Sequence, residues 1–576
     1  MSETSSPSLV PRRKILLINL SQERAEEVML TEVKMRDLFG GRLLALSLWD
    51  EYADYAHLAE EGSEKESPIV IAAGPAAEFD HLEHPSFAIV TRNPVTRRIT
   101  VDRGSTDFGK AILSFGYLAV VIVGRLRRIA GITINGNGVS VTPSEELFEA
   151  TTDAVAKALD TPYYLSTGVA GDRYSPYASV VAGGKNIGRG GLGAIFGRKN
   201  LKYIALYPEA VGRTIEDEKQ LAKYHRLTKR QSSGSKIVQR VQQYGTLGAL
   251  KEANRYGWAA IDGWRSRVDG RLWSLTEWAE EGGELDLCTA LALGPNIGIF
   301  DRDAVSRLNE RATSYGLDPI ALSALLSWIT HTRAERELPF LPPCRGDRAR
   351  YFEQLLEAIA YQRGRAGVAL SEALHTLVAT YGGAEHAYLV DTMAIPPLDL
   401  RALPANALLV AQGDMSVVYS ELLKPKRYRR GRERKIATIA RAAQVLAAAS
   451  ETIGVDSRAF IPLTSKPLTL GKRQSFLQLA YIASIAEGRT LPIAEVIEYG
   501  QRALGMEQEI NERLKTLALA TLPERLLIDG TSTYPKVQVV PLTRLLMSYQ
   551  LLMAKESKER RSLRRWIARR FAKSKA

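Results

Sequence analysis

The apolar pattern of this chain changes period near Pro208, and that switch limits the folds open to it more than any other feature. From Lys14 to about Leu206, isoleucine and valine gather in short runs: Lys14–Leu20, Ile69–Ala73, Phe87–Arg92, Arg98–Asp102 and Val120–Gly124. β-Branched residues fit a pleated surface, so these runs predict strands. Gly131–Thr142 alternates, and Asn135-Gly136-Asn137-Gly138 at its centre predicts a hairpin turn. Helical stretches at about Thr31–Tyr52 and Thr106–Phe115 interrupt the strands. After Pro208, Ile215–Tyr256, Asp301–Arg336, Asp347–Thr380, Lys435–Glu451 and Pro492–Leu519 carry apolar residues at helical spacing opposite charged faces. At 576 residues the chain exceeds what one hydrophobic core serves. The predicted class is α+β: a β-rich region with an antiparallel sheet over 1–210, then two mostly helical regions over 211–400 and 401–576.

No apolar run approaches the roughly 18–20 residues that a membrane-spanning helix needs. The opening MSETSSPSLVPRRK has no apolar core, so no signal peptide is expected. Two cysteines in such a length exclude a disulfide framework and predict a reducing, cytoplasmic setting. The net charge of +13 is local: Lys424–Lys435 carries +7 and Lys555–Ala576 carries +8, which leaves −2 for the rest. A nearly neutral body argues against a whole-protein nucleic-acid binder.

Gly183 to Lys202 reads GGKNIGRGGLGAIFGRKNLK. Close glycines let backbone approach a ligand, and a helix start beyond them offers free N–H groups to an anion. Lys185, Arg189, Arg198, Lys199 and Lys202 suit a phosphate or another anionic group. No Gly-Lys-Ser/Thr follows, so this is no P-loop, and no βαβ unit with a downstream acid makes it a dinucleotide site. Anion binding and a tight turn with solvated charges both remain open from chemistry alone.

The segment resembles the GRGGLGA signature of the aldehyde ferredoxin oxidoreductase family, whose loop touches a pterin cofactor. Other pieces follow in that family's order: Gly40-Gly41-Arg42, Gly74-Pro75, Val90-Thr91-Arg92-Asn93-Pro94, Tyr244-Gly245-Thr246, Leu293-Gly294-Pro295-Asn296, Tyr315-Gly316-Leu317-Asp318 and Leu522-Pro523-Glu524-Arg525. The resemblance implies a β-rich domain and two helical domains around a tungsten- or molybdenum-pterin centre. It also implies aldehyde oxidation, with electrons passing through a four-iron cluster to a ferredoxin-like or other redox protein. It assigns Lys185, Asn186, Arg189, Gly190, Gly191 and Gly193 to cofactor binding, together with Asp318 and Asp456, whose carboxylates would accept pterin N–H groups.

The chain departs from the family where the chemistry sits. Four thiolates are needed for the cluster, and only Cys288 and Cys344 exist. Ile461 stands where the last thiol belongs, and Trp258–Leu287 has no cysteine at all. Gly40-Gly41-Arg42 continues as Leu43-Leu44-Ala45 rather than Gly-Leu-Gly, and Arg103 falls where the family has an asparagine. Cys288 falls near the family's metal-side acid, with Asp286 two residues earlier, and a later family histidine has no counterpart after Ala411. No catalytic residue is therefore assigned, and the seven histidines show no local metal-ligand spacing. Asp318 and Asp456 also read as helix N-caps, and Cys288 as a small buried hydrophobe.

Ser562–Phe571 places Leu563, Trp566, Ile567 and Phe571 on one helical face beside arginines, a pattern suited to an anionic surface or to packing on the protein body. Two functions stand side by side. One is an oxidoreductase acting on aldehyde or oxo groups without the family's own iron–sulfur relay, and it is the reading the family inheritance favours. The alternative is a non-catalytic homologue that binds a ligand or partner subunit, whether a second copy or another chain.

Overall fold

The computed structural model describes residues 14–60, 66–80, 84–213, 236–265, 285–423, 428–460, 474–516, 520–528 and 539–556, with isolated positions between 214 and 235. The β-rich region forms two six-stranded sheets. The first contains β1 (Lys14–Asn19), β2 (Arg24–Met29), β3 (Ile69–Ala73), β4 (Phe87–Arg92), β5 (Ile99–Gly104) and β6 (Tyr117–Val123), in the order β2-β1-β6-β3-β4-β5. The second contains β7 (Ala130–Asn135), β8 (Gly138–Pro143), β9 (Tyr164–Thr167), β10 (Val180–Ala182), β11 (Lys185–Ile187) and β12 (Leu201–Tyr207), in the order β11-β10-β9-β12-β7-β8. The fold is α+β.

The expected single antiparallel sheet is instead two mixed ones. β6 runs parallel to β1 and antiparallel to β3, and β12 runs parallel to β7 and antiparallel to β9. The physical reason is that β6 returns between two earlier strands and is covered on both faces. Its sequence YLAVVIV is apolar throughout, as a doubly covered strand requires, rather than alternating. The Asn135–Gly138 turn does join β7 to β8, with Asn135 facing Gly138 in register.

The helical region follows the predicted spacing with shifted ends. Asp301–Arg336 is two helices, Arg302–Tyr315 and Pro319–Glu335. Gly316 closes the first at φ +71°, a left-handed conformation that glycine adopts without strain, and Asp318 caps the second ahead of a proline. Glu433–Ile453 and Ile493–Arg513 cover the last two predicted helices. No helix among the described residues is long and apolar enough to cross a membrane.

The cores do not follow chain order. One hydrophobic cluster runs from Ile15 to Leu206 and also takes in Ala442 to Ile510. A second gathers residues between Val241 and Tyr549, and a third joins Val169, Ala170, Tyr177 and Ala178 to the helices of 293–394. Packing the late helices on the first sheet is what carries Asp456 to the edge strand β5.

Candidate functional site

The glycine loop connects β11 to the helix Leu192–Arg198. Gly190 and Gly191 have φ of +66° and +92°, and the space a side chain would need is already taken by the protein. A Cβ at Gly190 would lie 2.3 Å from the Asn93 amide, and one at Gly193 would lie 2.4 Å from the Ser179 carbonyl oxygen. Asn93 fastens the loop: its Nδ2 donates to the Arg189 carbonyl at 3.0 Å, while its Oδ1 accepts the N–H groups of Val95 and Thr96. On the other side, Asp102 of β5 accepts the Arg189 backbone N–H at 3.2 Å. Asn186 bridges Ser179 and Thr313 through hydrogen bonds of 2.7 and 2.8 Å, and Lys185 is exposed. The glycines and the asparagine thus have structural work within the loop itself.

Arg189 and Asp318 do meet. Both line a cavity of about 30 Å³ with Gly190, Pro176, Leu374 and Met393. Asp318 is buried and caps its helix by accepting the Ile320 N–H at 2.9 Å. Burial raises its carboxyl, and the Arg189 charge works against that rise. Arg189 Nη1 is buried with no hydrogen-bond partner.

Asp456 does not line that cavity. Its Oδ1 accepts the Arg458 N–H at 2.8 Å. Its Oδ2 accepts Arg458 Nε at 2.8 Å and Ser105 Oγ at 2.5 Å, with Arg103 Nε at 3.5 Å. Burial alone would raise this carboxyl, but the guanidiniums of Arg103 and Arg458 outweigh it and hold the group well below the usual carboxylate range. The pairing continues outward. Arg103 reaches Glu451 at 3.5 Å, Glu451 takes Arg42 at 2.8 Å, and Arg42 takes Glu507 at 2.5 Å. Six side chains of alternating sign, from Glu507 to Arg458, therefore neutralise one another across the junction of β5 with the late helices.

The helix Leu287–Leu293 lies near both halves. Asp286 caps it, and Cys288 packs with Ala292 and Ile320. Burial first, and then Asp286, push the Cys288 thiol up to about 12, against the opposing charges of Arg189 and Arg458. A neutral thiol is a poor nucleophile and a poor metal ligand. Cys344 is exposed.

These residues do not fit a pterin centre. Both oxygens of Asp456 are engaged by the chain's own donors, and Oδ2 takes two guanidiniums and a hydroxyl.

Sequence reasoning had noticed Arg103 as a departure and Arg42 within its motif. Glu451 and Glu507 carried no local signal, because their shared partner Arg42 lies more than 400 positions away, whereas Arg458 stands two residues from Asp456. Asp102 was missed as well. Burial pushes its carboxyl up to about 7, against the Arg189 N–H and charge, with Asp318 adding to the rise. Its folded value exceeds the ordinary value of about 3.9, so its stabilising share is complete below that pH and is lost as pH rises through 7. Asp102→Asn is expected to reduce the loss of stability between about pH 5 and about pH 8, read from urea midpoints; an unchanged slope would exclude this origin. A further group escaped the search for local histidine spacing: Glu335, Glu385 and His386 place ligand atoms within 4.8 Å of one another. Arg265 and Arg336 already pair with its two carboxylates.

Comparison with known proteins agrees along most of the chain. The model of the aldehyde ferredoxin oxidoreductase N-terminal domain matches residues 15–208, and that of the family's domains 2 and 3 matches residues 270–553. A tungsten-containing aldehyde ferredoxin oxidoreductase of Pyrococcus furiosus is 24% identical over 386 residues, covering 60% of this chain and 63% of that protein. The chain thus spans less than two thirds of that relative's length. The WOR-like subunit of an aliphatic sulfonate oxidoreductase from the same organism is 21% identical over 372 residues, covering 55% of this chain and 58% of that one. Among solved structures, the active site complex BamBC of benzoyl coenzyme A reductase with 1,5-dienoyl-CoA includes a chain that superposes with a TM-score of 0.73. That likeness covers 94% of both chains at 16% identity, which speaks for the fold. With both domain models matched in order on two sheets followed by helices, the chain belongs to the aldehyde ferredoxin oxidoreductase family.

Proposed function

We propose that this chain is a non-catalytic member of its oxidoreductase family, which keeps the fold to act as a ligand- or partner-binding subunit. One observation carries the reading: the pairing of Asp456 with Arg103, Arg458 and Ser105. A carboxylate can hold a pterin only while its lone pairs remain open to ring N–H groups. Displacing two guanidiniums from a buried acid to admit such a ring would leave charges unpaired, at a cost of several kcal/mol (about 3–5 for one broken buried pair). The thiol count supports the same reading, since two cysteines cannot supply four cluster ligands. The names of two similar proteins, a WOR-like subunit and a chain of the BamBC complex, support the partner-binding part of the reading, because both work within assemblies.

A second reading has one observation in its favour. Arg189 Nη1 is buried beside Asp318 without a partner, as a donor kept for a ligand would be. On that reading the chain is an oxidoreductase for aldehyde or oxo groups that holds a tungsten- or molybdenum-pterin and hands electrons to a separate redox protein. Protein purified from a host supplied with both metals separates the two. Metal and released pterin far below one per chain are expected; one metal per chain with pterin would overturn the proposal and support the oxidoreductase.

A further inference from the structure

The two basic segments, more than a hundred residues apart in sequence, start from neighbouring places in the fold. Residues 428–435 lead into the helix Glu433–Ile453, and Arg429, Arg430, Arg432, Arg434 and Lys435 are all exposed. The helix over 542–556 comes alongside. Its Arg544 lies against the Tyr428–Glu433 hydrogen bond, and its Glu556 pairs with Arg441 at 3.1 Å. Arg441 is about two turns beyond Arg434 on the helix. The described parts of the two basic segments, 428–435 and 555–556, thus adjoin on a protein whose charge outside the segments is −2.

This corner is not only charged. Arg544, Met547, Leu551 and Lys555 recur at the i, i+3, i+7, i+11 spacing of one helix face. Met547 and Leu551 are 59% and 72% exposed, among the most exposed large apolar side chains described. The sequence that follows repeats the mixture, with Leu563, Trp566, Ile567 and Phe571 set among Arg564, Arg565, Arg569 and Arg570. An acidic protein would ask only for the charge. Exposed apolar groups interleaved with arginine, with tryptophan and phenylalanine beyond, suit the boundary between anionic headgroups and acyl chains.

We propose that the surface formed by 428–435 and the 542–556 helix docks this protein peripherally on an anionic lipid bilayer. Flotation of the full chain with phosphatidylcholine vesicles, with and without phosphatidylglycerol, tests it. Binding only to the anionic vesicles is expected. It should be lost on going from about 0.1 M to about 1 M salt, as the Debye length falls from about 10 Å to about 3 Å. Joint Arg429→Ala, Arg430→Ala and Arg432→Ala substitution is expected to weaken partitioning by about 100-fold, from three surface charges. Met547→Ser with Leu551→Ser should weaken it at unchanged charge. All five side chains are exposed, so folding should survive, and circular dichroism checks that. Absence of binding to anionic vesicles overturns the proposal, as does binding that neither variant reduces. Capture by an acidic protein without vesicle binding also overturns it and assigns the surface to a protein partner.

Discussion

Arg458→Met is expected to lower the unfolding free energy by about 3 kcal/mol, the lower end of what breaking a buried ion pair costs. Asp456 has no exposure; the Arg458 guanidinium donates to its Oδ2, while the Arg458 backbone N–H donates to Oδ1 and survives the substitution. Losing that guanidinium leaves a desolvated carboxylate with Arg103 and Ser105 as its remaining side-chain donors, which is why the loss falls at the lower end. The pH dependence follows from the direction of the shift. Asp456 sits below its unfolded value, so its pairing stabilises fully above the ordinary carboxylate range and fades as pH falls beneath it. The gap between wild type and variant should therefore narrow below about pH 4. Adding Asp456→Asn removes the stranded charge and should recover part of the loss in a double-mutant cycle. Equal stability of wild type and Arg458→Met in urea titrations would show that the pair does not close this space.

Gly41→Ala should cost more, about 4 kcal/mol or above. Gly41 has φ +43°, and a Cβ there would stand 1.9 Å from the backbone carbonyl oxygen of Glu451. A backbone atom in a packed helix cannot swing aside as a long side chain can, so the helix Gly41–Tyr52 would have to move off Glu433–Ile453. That movement would also pull Arg42 from Glu451 and Glu507. Gly184→Ala is the control: φ is +71°, but nothing lies within 4 Å, so only left-handed strain of about 1–2 kcal/mol applies. Comparable losses for the two variants would refute the close approach at Gly41.

These two expectations mark how far local reading reached. The strand runs, the Asn135–Gly138 hairpin and the late helices were legible because each depends on residues close in sequence. The parallel pairing of β1 with β6 was not, because two apolar runs of similar composition can lie side by side in either direction. Within the candidate site, the glycine loop and the helix cap at Asp318 were visible as motifs. Their association was expected only through the family resemblance; in the folded chain Arg189 and Asp318 line one cavity. The fate of Asp456 was hidden: Arg103, a departure from the family, and Arg458, two residues beyond the acid, turn out to occupy it.

Period, turn chemistry and the number of cysteines belong to the linear chain, and they were enough to set the α+β class, the order of elements and the shortage of thiolate ligands. Whether an acid stays open or is sealed depends on which distant side chains reach it. That was settled when Ala442–Ile510 folded back onto the first sheet and brought Arg42, Arg103, Glu451, Asp456 and Glu507 within pairing distance. Charges removed from water must find opposite charges nearby, and only the folded arrangement determines which ones are there.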